Sequence, residues 1–164
     1  MTMTEIVKQS SRALLFDSER RLVLIKRTKP DREPYWVAVG GGLELEDRTT
    51  EAALHREVHE ELGGRIDRAR QVLLITDDLP GGIGLQHVYT ARLVSADLAQ
   101  RTGAEFDEPG RGTYEVVRVP ATREALSQIR LLPPRLAEFA HANLHGLLAL
   151  TEQEDGPEEA VEVP

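Results

Sequence analysis

Gly40-Gly41-Gly42-Leu43-Glu44, followed by Arg56-Glu57-Val58-His59-Glu60-Glu61-Leu62-Gly63-Gly64, is the stretch that decides how this chain folds. A helix over Thr50 to Leu62 turns about 100° per residue. With Glu57 at 0°, Glu60 falls near about −60° and Glu61 near about +40°, so three carboxylates share one sector. Leu54, Val58 and Leu62 fall at about 60° to 140°, an adjoining apolar stripe for a core. Ala53, one turn ahead of Glu57, keeps the acidic face low enough for a bulky anion to approach. Thr49 or Thr50 serves as N-cap, Glu51 complements the helix dipole, and Gly63-Gly64 stops the helix.

Like charges on adjacent turns repel and raise one another's pKa values. A divalent cation reverses that cost, and an oxygen-only ligand set suits Mg²⁺ or Mn²⁺. No cysteine is present to favour a softer metal, a zinc-thiolate site or a disulfide. The plain alternative is a solvated acidic helix face.

These residues resemble the Nudix hydrolases, whose signature reads G-x5-E-x7-R-E-U-x-E-E-x-G-U, with U a bulky aliphatic residue. Arg56-Glu57-Val58, Glu60-Glu61 and Gly63 match its second half, and Gly64 stands where the last aliphatic residue belongs. Trp36-Val37-Ala38-Val39-Gly40-Gly41 is similar to the family's W-x-x-P-G-G, with Val39 in place of proline. Asp47 stands in for the first glutamate, and one extra residue separates it from Arg56. Inside the helix that residue would misplace the acids by about 100°; in the loop from Asp47 to Thr50 it is absorbed cheaply.

The resemblance implies an α/β fold, an α/β/α sandwich around a mixed sheet. It also implies hydrolysis of a diphosphate linkage in a nucleoside diphosphate derivative, with water attacking phosphorus (a pyrophosphatase in the wide sense). Carried over residue by residue, Glu57, Glu60 and Glu61 become the metal ligands for Mg²⁺ or Mn²⁺, and Glu57 and Glu61 the catalytic acids. Arg56 orients a glutamate, and Glu105, in the irregular stretch before Tyr114, is the first choice for a further catalytic carboxylate ahead of Asp107 and Glu108. Gly40, Gly41 and Gly42 bring backbone N–H groups to metal or phosphate. From the residues alone, Arg27 belongs to a basic hairpin end with Lys26, Lys29 and Arg32 that suits phosphates, or simply solvent. Trp36 reads as core, and His55, His59 and His87 as isolated. Two alternatives stay open: a catalytically silent nucleotide-binding regulatory module, and an enzyme on a non-nucleotide diphosphate such as an isoprenoid.

A chain of 164 residues makes one domain of ordinary size, here residues 1–150. The net charge of −8 is concentrated at the end, where Glu152, Glu154, Asp155, Glu158, Glu159 and Glu162 stand without a base. Residues 151–164 therefore read as an acidic, disordered tail. No apolar run nears the ~20 residues of a membrane span, and the N-terminus lacks a signal-peptide layout. Scattered basic residues and few aromatics argue against a nucleic-acid surface. The expectation is a cytoplasmic protein acting on a small nucleotide-type diphosphate, with no membrane partner and a homodimer left open.

The expected strands are Arg12–Phe16 and Arg21–Lys26 around the turn Asp17 to Arg20, then Tyr35–Val39, Gln71–Thr76, Gly84–Val94 and Tyr114–Val119. Thr122–Ile129 and Pro134–Leu147 read as helices.

Overall fold

Strand-forming apolar runs with period-two alternation build a seven-stranded mixed sheet in the computed structural model, which describes residues 3–102 and 110–153. The strands are β1 (Ile6–Phe16), β2 (Arg21–Thr28), β3 (Tyr35–Gly42), β4 (Arg65–Leu79), β5 (Gly82–Ser95), β6 (Thr113–Pro120) and β7 (Leu131–Leu132). The helices are α1 (Thr50–Leu62), α2 (Arg123–Ser127) and α3 (Pro134–Glu152). The sheet order is β4-β5-β1-β2-β3-β7, with β6 on β2 and the middle of β1, Ser10 to Ala13, also paired to β3. β1 runs parallel to β5 and β3 parallel to β7; the other pairs are antiparallel.

Alternation along the strands divides the core into two layers. Leu14, Phe16, Leu22 and Leu24 pack toward α3 through Leu136, Ala140 and Leu144. Ala13, Leu15, Val23 and Ile25 pack with Leu54, Val58 and Leu62 of α1. Each of those three α1 side chains is fully buried, a contribution of about 1.5–3 kcal/mol apiece. The result is the helix/sheet/helix sandwich that the sequence implies.

Several elements differ from expectation. β1 begins at Ile6, because its polar residues Lys8 to Ser11 pair with β5 and β3 instead of advertising themselves by hydrophobicity. β4 and β5 extend until only Pro80-Gly81 joins them, with Leu79 opposite Gly82. Asp77 and Asp78 fit there because β4 is an edge strand with solvent beside it. Gly40 to Gly42 are the paired end of β3 rather than a free loop. α2 is shorter than expected, with Thr122 as its N-cap. α3 runs past residue 150: Thr151 is buried, and its carbonyl accepts from Arg68 Nη1 at 2.8 Å. The structured chain thus reaches at least Glu152, and the tail from residue 154 lies outside the described residues.

Candidate active site

The helix α1 has the bounds its sequence gives. Thr49 Oγ1 accepts from the Ala52 N–H at 2.9 Å, and Gly63 closes the helix in the left-handed conformation at φ 56°. The extra residue therefore lies before the helix, and the register of the acids is intact. The apolar stripe seats α1 on the sheet beside the end of β3, which turns Glu57 and Glu61 toward the glycines.

The contact with the glycines is close. A Cβ on Gly41 would lie 2.5 Å from Glu57 Oε1, so the carboxylate occupies the space a side chain would take. Gly40, at φ 144°, would drive a Cβ to 2.0 Å from the Ser11 carbonyl. Its N–H donates to Glu61 Oε2 at 3.2 Å. Glu57 and Glu61 are only 7% and 9% exposed. Burial raises the Glu57 pKa, and the neighbouring Arg56 and Arg12 only partly offset it.

Arg56 gathers the surrounding acids. Its Nε and Nη2 hold both oxygens of Asp47 at 3.1 and 2.8 Å, a bidentate pair. Its Nη1 reaches Glu57 at 3.2 Å and both oxygens of Glu60 at 3.2–3.3 Å, and its Nη2 donates to the Gly42 carbonyl at 3.0 Å. Asp47, which stands where the resembling signature has a glutamate, is thus paired with Arg56. Its pKa is lowered, chiefly by the Arg56 hydrogen bond and then by the Glu44 N–H. The Arg56 pKa is correspondingly raised, first by Asp47.

Glu57, Glu61 and all three glycines line one cleft of about 360 Å³ with Arg12, Ile25, Arg27, Tyr35, Val37, Arg111 and Tyr114. Of the expected residues, the structure brings Glu57, Glu61, Gly40, Gly41, Gly42 and Arg27 to this cleft. Glu60 is instead engaged by Arg56, and Glu105, Asp107 and Glu108 lie outside the described residues. Among the described residues, no three acidic or histidine side chains gather closely enough to form a metal cage. The two buried carboxylates nevertheless fit a hard divalent cation: both are oxygen donors, and burial leaves Glu57 with a charge that a cation would offset.

Arg12 is the residue that sequence reasoning missed. It reads as the first residue of a strand, yet its Nη1 donates to the carbonyls of Ala38 and Gly40 at 3.2 and 2.9 Å. A single arginine in a strand carries no signal of this, since its partners are backbone atoms of another strand. Tyr35 and Tyr114, which begin or nearly begin their strands, likewise gave no sign. Trp36 is half-buried against the α3-side core, with Lys26 over its ring at 5.4 Å. His87 bridges Gln9 and Gln71 away from the cleft.

A family model described as the NUDIX domain matches residues 8–139. The fold resembles a NUDIX hydrolase from Nitrosomonas europaea at TM-score 0.64 and 16% identity, covering 92% of this chain and 99% of that one. It also resembles a MutT protein from Methanosarcina mazei, with TM-score 0.58, 18% identity and coverage of 88% and 97%. A MutT NUDIX hydrolase from Burkholderia pseudomallei gives TM-score 0.57 and 21% identity, with 82% and 95% covered. No match is found among curated proteins. The structural likenesses speak for the fold; the family model spans most of the chain and places it in the family: this protein belongs to the Nudix hydrolases.

Proposed function

We propose that this chain is a divalent-cation-dependent hydrolase that cleaves the diphosphate linkage of a nucleoside diphosphate derivative. The observation that carries this reading is a pair of buried glutamates, Glu57 and Glu61, on the wall of a cleft that also holds Arg12 and Arg27. Acids are otherwise costly to bury, and a solvated helix face has no reason to bury them.

Glu57 and Glu61, assisted by Glu60, would hold Mg²⁺ or Mn²⁺, which supplies charge neutralisation on the diphosphate oxygens. Arg12 and Arg27, which line the same cleft, would bind phosphoryl oxygens of the substrate. The Gly40 N–H fixes one oxygen of Glu61, and Gly41 leaves room for the Glu57 carboxylate. Arg56, itself clamped by Asp47, fixes Glu57 and Glu60. A water oxygen attacks one phosphorus, the bond from that phosphorus to the bridging oxygen breaks, and the water's proton passes to Glu57, Glu61 or Glu105. No protein nucleophile is needed, since phosphoryl transfer depends on positioning and charge.

A phosphate-release screen over diphosphate derivatives with Mg²⁺ and with Mn²⁺ tests the reading. Metal-dependent release of a monophosphate product from at least one nucleoside diphosphate derivative is the expected result. Nucleotide binding without release across the library would overturn it in favour of a regulatory module.

A further inference from the structure

Among the described residues, two arginines of the cleft differ in their partners from the arginines that carboxylates engage. Arg20, Arg21, Arg56, Arg92 and Arg118 are ion-paired to carboxylates. Arg12 and Arg27, which line the cleft, are held by neutral groups instead. Arg12 rests on two backbone carbonyls. Arg27 donates through Nη2 to the Arg111 carbonyl at 2.7 Å and lies 3.6 Å from the centre of the Tyr114 ring. Its Nε is buried without a hydrogen-bond acceptor among the described residues. Tyr35, which lines the same cleft, stands 6.0 Å from Arg27 and carries Arg32 on its ring at 4.6 Å.

Neutral partners fix a guanidinium without cancelling its charge. A stacked, hydrogen-bonded arginine is also pre-organised, so little side-chain entropy remains to be lost when an anion arrives. Arg12 and Arg27 enter the cleft from different positions along β3. Arg12 lies opposite Gly40 in the β1–β3 register and donates to its carbonyl. Arg27 sits opposite Tyr35 in the β2–β3 register. The Cα atoms of residues 35 and 40 of β3 are about 16 Å apart along a strand. These backbone positions lie further apart than one diphosphate spans, so with a diphosphate seated at Glu57 and Glu61, Arg27 is available to another part of the substrate.

We propose that the Arg27 corner, built by Tyr114, Tyr35 and the Arg111 carbonyl, is a subsite for a phosphoryl group other than the two of the linkage being cut. The inference rests on the diphosphate-hydrolase reading and narrows it to substrates that carry a further phosphate. That phosphate is either a continuation of the chain, as in a dinucleoside polyphosphate, or a separate ester, as on a ribose hydroxyl. Arg27 is then a specificity-determining residue, with Arg32 adding positive potential behind Tyr35.

Two matched pairs distinguish the sources: a dinucleoside diphosphate against its tetraphosphate, and dephospho-coenzyme A against coenzyme A. The wild-type protein is expected to favour the phosphate-bearing member of at least one pair by tenfold or more in kcat/KM. Arg27→Gln should raise KM for that member by at least tenfold, with a smaller change for its partner. Arg123→Gln, an exposed charge outside the cleft, should leave the ratio unchanged. Equal efficiencies within both pairs, or a uniform loss in Arg27→Gln, overturn the subsite while leaving hydrolysis standing. If nothing is turned over, the hydrolase reading fails separately, and calorimetric binding of inorganic tripolyphosphate decides the subsite. Binding at least tenfold weaker in Arg27→Gln than in wild type supports it; equal affinity overturns it.

Discussion

Glu57 and Glu61 lie where the fold gives a carboxylate little solvent, which sets them apart from the acids of a solvated helix face. Glu57→Gln and Glu61→Gln keep size and remove one charge each. Since burial raises the Glu57 pKa, its ionised form opposes folding above that pKa, and the cost disappears on protonation. The Gln variant should therefore melt at or slightly above the wild-type temperature near neutral pH without metal. Turnover of a diphosphate substrate should fall by about two orders of magnitude or more, about 2.7 kcal/mol of barrier. Glu44, more than half exposed and 3.4 Å from Arg56, should tolerate Gln with far less loss. Helix mutants that keep more than about a tenth of kcat, within about 1.4 kcal/mol of wild type, would remove these acids from the mechanism. The residue that reports on acid stability is Asp17, at the β1–β2 turn. Burial would raise its pKa, but N–H groups of Arg21 and Glu19 and the guanidinium groups of Arg118 and Arg21 outweigh that, leaving it lowered. A lowered carboxylate stabilises the fold fully above its ordinary value of 3.8, and the contribution is lost as pH falls through the folded-state pKa. Asp17→Asn should therefore lose about 1–3 kcal/mol at pH 7. The gap to wild type should narrow in denaturant titrations below about pH 4, and a constant gap would contradict the assignment.

Helix α1 was fully legible because every signal agrees: a capping threonine, a period of 3.6, and paired glycines at the stop. The strands were less so. β1 hides its first half in Lys8-Gln9-Ser10-Ser11, and β4 carries Asp77 and Asp78 near its end, so neither follows an apolar rule over its full length. Only the partner strand supplies that information. The cleft was half legible for the same reason: the acids share one helix, whereas Arg12, Tyr35 and Tyr114 reach it from three strands. The junction of α1 with β3 gives a clean element-level test. In Gly41→Ala the new methyl meets the end of the Glu57 side chain at 2.5 Å, which can swing aside. Stability should drop by less than about 1 kcal/mol while kcat drops at least tenfold. Gly63→Ala should behave in the opposite way. Its Cβ would meet the Asp97 carbonyl at 1.9 Å, and φ is 56°, so backbone must move and about 2–4 kcal/mol of stability should go. A Gly41→Ala enzyme with wild-type kcat would show that the Glu57 position is not critical.

The molecule as a whole is closed at its C-terminus by more than composition suggests. The acid-rich ending, read alone, places the end of the domain at residue 150, but Thr151 is 2% exposed and Glu152 lies 3.4 Å from Arg20. Arg68, at φ 53°, gives its guanidinium to the Thr151 carbonyl, tying α3 to the first part of β4. Two truncations separate the helix from the tail. A chain ending at Gln153 removes a stretch with five acids and no basic or aromatic residue, and its melting temperature and activity should match the full chain. A chain ending at Leu150 strips the Arg68 acceptor, the Thr151 contacts and the last helical turn. It should lose about 1–3 kcal/mol, or roughly 2–4 °C per kcal/mol in a domain of this size. The loss should persist at high salt, because the dominant contact is a hydrogen bond to a backbone carbonyl rather than the exposed Arg20–Glu152 pair. Calorimetry on the two truncations decides the matter. Equal stability in both would put the end of the domain before Thr151, and a large loss in the longer one would mean that residues from 154 onward bind the domain.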